Sequence, residues 1–307
     1  SEWDPVENRI KNRTNVEVFT QDFGGEAAIR YVDSGLFGYT FIAILANLID
    51  ALHDLGYETR KDLFGAPYDW RNAPHNLDYY YPKFKALIEE AYTINNEKVC
   101  IFAYSCGCMV THHFLTKYVD QAWKDKYIQK VIWSAAAIGG SMDAAQIAYD
   151  HTIDYFPSIF NSEIMGELFQ TTMAIPAHLP NFNVYPDVPL IFGPNGEEYT
   201  AKQIPEWLKA TGKVDEKYER FFDFGLQNAV QPIADPGVNS YFAFNTAIDT
   251  LGGLNFSAGW DKAPTKIFTP GDSTMDARAL YYGCNHWGSA NKGKTLLCHD
   301  FNLTESD

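Results

Sequence analysis

One stretch limits the fold of this chain more than any other. Val99-Cys100-Ile101-Phe102-Ala103-Tyr104 is a continuous apolar run, the mark of a strand buried on both faces. A turn of small residues follows, then a helical pattern from about Cys106 to Tyr118, then a second strand-like run, Lys130-Val131-Ile132-Trp133-Ser134. Strand, helix and strand at this spacing predict a βαβ unit, and with it an α/β protein whose mostly parallel sheet is covered by helices on both faces. Elsewhere, Val16–Thr20 alternates like a short strand and stops at Asp22-Phe23-Gly24-Gly25. Phe41 to Leu55 has helical spacing and stops at Gly56, Leu63–Ala66 reads as a short strand, and Tyr81 to Tyr92 as a helix. The clusters Pro186–Pro194 and Pro232–Gly237 read as loops within a domain.

The turn inside the βαβ unit carries the sharpest chemical signal. Ala103-Tyr104-Ser105-Cys106-Gly107 fits a nucleophile elbow with alanine in place of the first glycine. A serine there is pushed out above the sheet, and the Cys106 N–H at the following helix N-terminus can donate to a developing oxyanion. A serine hydroxyl needs a histidine to take its proton and an acid to orient that histidine, in the chain order Ser, Asp, His. Lys266–Pro270 is a short strand leading into Gly271-Asp272-Ser273-Thr274, which puts Asp272 just past a strand end. Of the two histidines after it, His286 and His299, only His299 follows a strand-like run, Thr295–Cys298, and it is the expected base. The pair His112-His113 falls on the helix after the elbow and is explained by packing or solvation.

Composition narrows the partners. Thirty-nine acidic residues against 24 basic ones give a net charge of −15, so phosphate backbones are repelled and nucleic acid is excluded. No apolar run reaches the roughly 18 residues of a membrane span, and the first residues lack the basic and apolar regions of a signal peptide. Five cysteines leave at least one thiol unpaired. Cys100, Cys106 and Cys108 read as inert buried thiols, Cys284 and Cys298 can pair, and no CxxC spacing points to a metal. Asn12, Asn255 and Asn302 head glycosylation sequons. Aromatic residues make up 15%, a content that suits either a large apolar ligand or an aromatic core.

Gly65-Ala66-Pro67-Tyr68-Asp69-Trp70-Arg71, the elbow at Ser105, Gln121-Ala122-Trp123-Lys124-Asp125, Gly139-Gly140-Ser141 and Gly271-Asp272-Ser273-Thr274 come in an order and spacing that resemble the lecithin:cholesterol acyltransferase family, which includes lysosomal phospholipase A and phospholipid:diacylglycerol acyltransferases. The resemblance runs from about Trp3 to the C-terminus. It implies an α/β-hydrolase fold with a cap or lid insertion: core over 1–140, cap over 141–236, where strand–helix alternation is lost, and core again over 237–307 with acid and base.

The resemblance also implies the chemistry. Ser105 is the expected nucleophile, Asp272 the acid and His299 the base, with the Phe23 and Cys106 N–H groups forming the oxyanion hole and no metal or organic cofactor required. The implied function is transfer of a fatty acyl group from a glycerophospholipid to a sterol or diacylglycerol through an acyl-serine. The alternatives are phospholipase A-type release to water and a catalytically inactive lipid-binding protein. The implied partners are phospholipid, lipid alcohol and, transiently, a membrane or lipid-particle surface; the implied location is secreted or in the lysosomal or endomembrane lumen. Cys108 matches a free cysteine of some members. Gln21-Asp22 replaces the Pro-Gly of the family's oxyanion loop, and a carboxylate there is expected to weaken the hole. Tyr104 stands where the family has His. Family members also carry an upstream segment with the first sheet strands, a membrane-binding subdomain and a lid, and this chain is expected to be either a fragment or a shortened member.

Overall fold

The structure, a computed structural model, describes residues 2–7, 9–31, 43–151, 162–288 and 293–304. Its strands are β1 (Glu2–Asp4), β2 (Arg9–Lys11), β3 (Val99–Tyr104), β4 (Ile128–Ser134), β5 (Pro189–Phe192), β6 (Glu198–Thr200), β7 (Ser240–Phe244), β8 (Ile248–Asn255), β9 (Thr265–Gly271) and β10 (Leu296–Asp300). Its helices are α1 (Ala27–Arg30), α2 (Ala46–Asp54), α3 (Tyr81–Asn95), α4 (Cys106–His113), α5 (Gln121–Tyr127), α6 (Met142–Asp150), α7 (Ser162–Gln170), α8 (Ala174–Ala177), α9 (Ile204–Ala210), α10 (Glu219–Val230), α11 (Ala277–Leu280) and α12 (Tyr282–His286).

The expected βαβ unit is present as β3, α4 and β4, but β3 is an edge strand buried on one face only: Ile101 and Ala103 are buried while Cys100, Phe102 and Tyr104 are exposed. The unit lies in an all-parallel sheet of order β10-β7-β4-β3, with Ile101 opposite Val131 and Val131 opposite Ser240. Parallel strands need crossovers, and α4 with α5 supplies the one between β3 and β4. Trp133, Phe242 and Trp287 meet in the core of this sheet with ring centroids 5.2–6.1 Å apart. Burial of each such side chain contributes roughly 1.5–3 kcal/mol.

A second sheet, of order β6-β5-β8-β9, holds the β8–β9 hairpin and its parallel neighbour β5. Ile191 pairs with Leu254, so residues of 141–236 and of 237–307 share one sheet. β5 also occupies part of Pro186–Pro194, expected to be loop. Its apolar Pro189-Leu190-Ile191-Phe192 is satisfied by the β8 ladder, a partner more than 50 residues away that no local pattern announces.

Two short expected strands do not form. Val16–Thr20 has no strand partner among the described residues and lies exposed, Phe19 at 71%, because alternation alone does not hold a strand without a ladder. Leu63 makes only an isolated bridge to Thr59. Phe41 and Ile42, expected to open a helix, lie outside the described residues, and α2 begins at Ala46. The helix after the elbow ends as α at His113 and continues as a π-helical turn over Phe114–Tyr118.

The Q-A-W-K-D segment is structural. Asp120 caps α5 by accepting from the Trp123 N–H at 2.8 Å, and the Trp123 indole donates to Glu89 at 2.7 Å. Lys124 is buried, and burial lowers its pKa; its ammonium donates to the Leu115 and Pro236 carbonyls at 3.1 and 2.8 Å, which removes the penalty of an unpaired buried charge. The His112-His113 pair is packing, as expected. His112 stacks on Trp287 and shares a 2.7 Å hydrogen bond with the Ala234 carbonyl, His113 stacks on Tyr81, and burial pushes both imidazoles down to about 4. No helix of the described residues is long and apolar enough to cross a membrane.

Candidate active site

Ser105 occupies the turn between β3 and α4 with φ 49° and ψ −122°. This is a backbone conformation that non-glycine residues adopt at a cost of order 1–3 kcal/mol, and it persists only where the surroundings over-determine it. Here they do: the Ser105 N–H donates to the Ser134 carbonyl at 2.9 Å, and its carbonyl accepts from Cys108 N–H at 3.0 Å. The hydroxyl is half-buried and lies 3.9 Å from the Cys106 sulfur.

The Gln21–Gly25 turn is held against the Gly65–Arg71 motif. Gly24 N–H donates to Gly65 O at 2.8 Å, and a Cβ on Gly65 would fall 2.0 Å from the Gly25 carbonyl, so that contact admits only glycine. Among the described residues no acceptor takes the Phe23 N–H. Its ring packs edge-on against Tyr80, and Tyr80 in turn meets Tyr68, forming an aromatic wall beside the turn. The Asp22 carboxylate, expected to weaken an oxyanion hole, is directed to the loop and to Arg60. It accepts from the Ala27 N–H at 3.0 Å and from Arg60 at 2.6 Å, and these two bonds hold its pKa below the usual value. The charge is spent on the loop and a guanidinium.

Arg71 of the same motif pairs with Asp69 at 2.6 Å, while its carbonyl accepts from Ala174 N–H at 3.1 Å at the start of α8. The residue after α8 is His178. Gly139-Gly140-Ser141 grips this segment from the other side: Ser141 N–H donates to the His178 carbonyl at 2.8 Å, and Asn181 N–H to Gly139 O at 3.0 Å. Gly140, at φ 76°, has no room for a side chain, since a Cβ would lie 2.2 Å from Leu179 O.

Asp272 follows β9, as expected. Its Oδ1 accepts from the Thr274 and Met275 N–H groups at 3.0 and 2.7 Å, while burial raises its pKa. It lies close enough to Tyr104, the residue before Ser105, to add to the rise that burial imposes on that phenol.

β10 continues through His299 to Asp300, in register with Ala243 and Phe244 of β7. In the order β10-β7-β4-β3, three strand spacings, about 14 Å at roughly 4.8 Å each, separate it from the strand that carries Ser105. Its ring is exposed and packs edge-on against Phe301. The strand runs on because Asp300 is locked by Thr246 and by the Tyr281 hydroxyl at 2.8 Å. His286 is exposed on α12 and stacks on Tyr282. Cys284 and Cys298 form a disulfide that fixes α12 to β10.

The histidine that the structure brings to the elbow is His178, which chain order had set aside because it precedes the acid. Its Nδ1 bonds the Ala174 carbonyl at 2.6 Å, and its Nε2 is buried and without a hydrogen-bond partner. Interaction with the Cys106 thiol raises its pKa against the opposing effect of burial. Cys100 and Cys106 are both exposed, so the inert buried reading holds for Cys108 alone. Among the described residues no cluster of His, Cys, Asp or Glu is arranged to hold a metal ion.

A strained serine turn at the C-terminal edge of a parallel sheet, covered by helices, defines a mixed α/β protein with a nucleophile-elbow geometry. The sequence profile of the lecithin:cholesterol acyltransferase family matches residues 3–209, and the chain belongs to that family. It is 28% identical to mouse phosphatidylcholine-sterol acyltransferase over 91% of its length and 62% of that protein's. It is 27% identical to human lysosomal phospholipase A and acyltransferase over 92% of its length and 66% of that protein's. The chain thus spans under two thirds of the length of these relatives.

Proposed function

We propose that this protein is a serine-dependent lipid acyltransferase with the α/β-hydrolase fold, moving a fatty acyl group from a glycerophospholipid to a lipid alcohol. The observation that carries this reading is the backbone of Ser105, φ 49° and ψ −122°, at the junction of β3 and α4. Strain of that size is kept where it aims a reacting group. Ser105 attacks the ester carbonyl, the Cys106 and Phe23 N–H groups take the oxyanion, and Asp272 is the acid. The acyl-serine is discharged onto a sterol or diacylglycerol hydroxyl. Discharge to water, the phospholipase A outcome, shares every earlier step. Both activities appear in the names of the relatives. The region over 141–236 serves as the cap for the acyl chain, and the working surface is that of a membrane or lipid particle in a secretory or lysosomal lumen.

Two histidines compete for the base. Chain order favours His299. Position favours His178, whose Nδ1 bond to Ala174 leaves Nε2 as the acceptor at the elbow. Rapid mixing with a chromogenic short-chain ester, acid quenching and peptide mass mapping tests the reading: an acyl group on Ser105, discharged faster when a lipid alcohol is added, is expected. Ester turnover without any acyl adduct on Ser105 would overturn it.

A further inference from the structure

His53 on α2 has an acceptor at each ring nitrogen. Its Nδ1 lies 2.9 Å from the Tyr57 carbonyl and its Nε2 2.8 Å from Oε2 of Glu26. A carbonyl oxygen only accepts, so Nδ1 carries a proton. The Glu26 carboxylate also accepts from the Thr59 hydroxyl at 2.8 Å and from Arg30 at 3.3 Å, the bonding of an ionised group, so Nε2 carries a proton as well. The ring is an imidazolium, since a neutral imidazole serves only one of two acceptors. Glu26 stands between α1 and the turn that carries Phe23, where the Gly24 N–H is tied to Gly65 and the Asp22 carboxylate binds the Ala27 N–H and Arg60. We propose that His53 and Glu26 are positioning residues, a proton-dependent strap that fastens α2 and the turn after it to the base of the Phe23 turn. The consequence for acylation at Ser105 rests on the function proposed above; the strap itself does not.

The strap responds to pH because its two bonds need both ring protons. When the imidazolium gives one up, a ring nitrogen presents its lone pair to an oxygen, and either the Tyr57 or the Glu26 bond gives way to repulsion. The surrounding groups set the direction. The Tyr57 carbonyl and Glu26 raise the His53 pKa above the ordinary 6.5, against burial and the Arg30 guanidinium. Burial pushes the Glu26 carboxyl up, but Thr59, His53 and Arg30 more than reverse this and hold it below the usual value. Arg30 is itself divided between Glu26 and Asp50 of α2, and Asp54 neighbours the ring on that helix. In the turn after α2, Lys61 pairs with Glu58, Asp62 accepts from the Glu58 N–H, and Arg60 pairs with Asp22. Because folding raises the His53 pKa, the strap's contribution is whole below the unfolded value, near 6.5, and is lost as pH rises through the folded value. The Phe23 turn is therefore held firmly in acid and loosened in alkaline solution. In the proposed reaction the Phe23 N–H is an oxyanion donor, and a loosened donor stabilises the transition state less.

Three measurements on the full chain from about pH 5 to 9 test this: NMR titration of the His53 imidazole, assigned with His53→Gln; hydrogen exchange of 22–30, corrected for the pH dependence of intrinsic exchange; and the rate of Ser105 acylation by a chromogenic ester. His53 is expected to titrate above 6.5, with a midpoint lowered by about one pH unit or more in Glu26→Gln. Protection of 22–30 should fall about fivefold as pH rises through that midpoint, and should be low at every pH in His53→Gln. Acylation should show an alkaline limb with the same midpoint, absent from His53→Gln. His53→Lys, charged across the range, should keep the acid-side rate and lose the limb. A midpoint at or below 6.5, a midpoint unmoved in Glu26→Gln, or protection independent of pH in the parent would each overturn the strap. An alkaline limb that survives in His53→Gln would overturn its role in positioning the turn for acylation. No acylation of Ser105 at any pH would contradict the acyl-serine reading instead, and titration and exchange would still decide the strap.

Discussion

The Ser141 hydroxyl donates to the Thr274 carbonyl at 2.7 Å while its own N–H donates to the His178 carbonyl at 2.8 Å. One residue thus joins the turn after β4, the loop that carries Asp272 and the segment that carries His178. The Gly-Gly-Ser motif is a joint between these three segments.

The joint should be intolerant of added atoms. A methyl at Gly140 would meet Leu179 O at 2.2 Å and the Asn181 N–H at 3.0 Å, at a φ of 76° that side chains rarely adopt. Gly140→Ala is expected to cost about 2–4 kcal/mol in denaturant unfolding and to lower ester turnover at temperatures where the variant stays folded. Unfolding within about 0.5 kcal/mol of the parent would show that the Leu179 segment moves aside freely.

The base is decided by a pair of variants. If position governs, His178→Ala lowers single-turnover acylation by two orders of magnitude or more and His299→Ala changes it less than threefold. If chain order governs, the effects exchange, and the β10 end must then rearrange to bring His299 back across the sheet towards β3. Acylation rates of the two purified variants separate these directly.

Asp22→Ala should not accelerate the reaction. Its carboxylate is engaged by Ala27 N–H and Arg60, so removing it releases the turn that positions Phe23. The expected result is a lower single-turnover rate and a loss of about 1 kcal/mol, typical of a removed hydrogen bond. A faster chemical step in the variant would mean that the charge does act on the oxyanion.

How far the sequence reached depended on how local each determinant was. Val99–Tyr104, the serine turn and α4 follow from a contiguous apolar run and adjacent small residues, and they form where expected. Asp272 was legible for the same reason, as a turn residue after a short strand. The end of β10 was not legible, because it is set by pairing with β7 and by Asp300 bonding to Thr246 and Tyr281, partners 54 and 19 residues away. The direction of the Asp22 carboxylate is likewise fixed by Arg60, 38 residues on. His178 carries no local signal at all, and only the packing of Gly139–Ser141 and Arg71 around it brings it to the elbow.

The central claim is that the strained backbone at Ser105 exists to present a nucleophile. A fluorophosphonate probe with mass mapping tests it most directly, on the parent chain and on Ser105→Gly. The account predicts one label per chain, on Ser105, and none in the glycine variant. That variant should also unfold at a higher temperature, because glycine relieves a backbone cost of order 1–3 kcal/mol at φ 49°. Label absent from Ser105 in the parent, or retained by Ser105→Gly, would contradict the account.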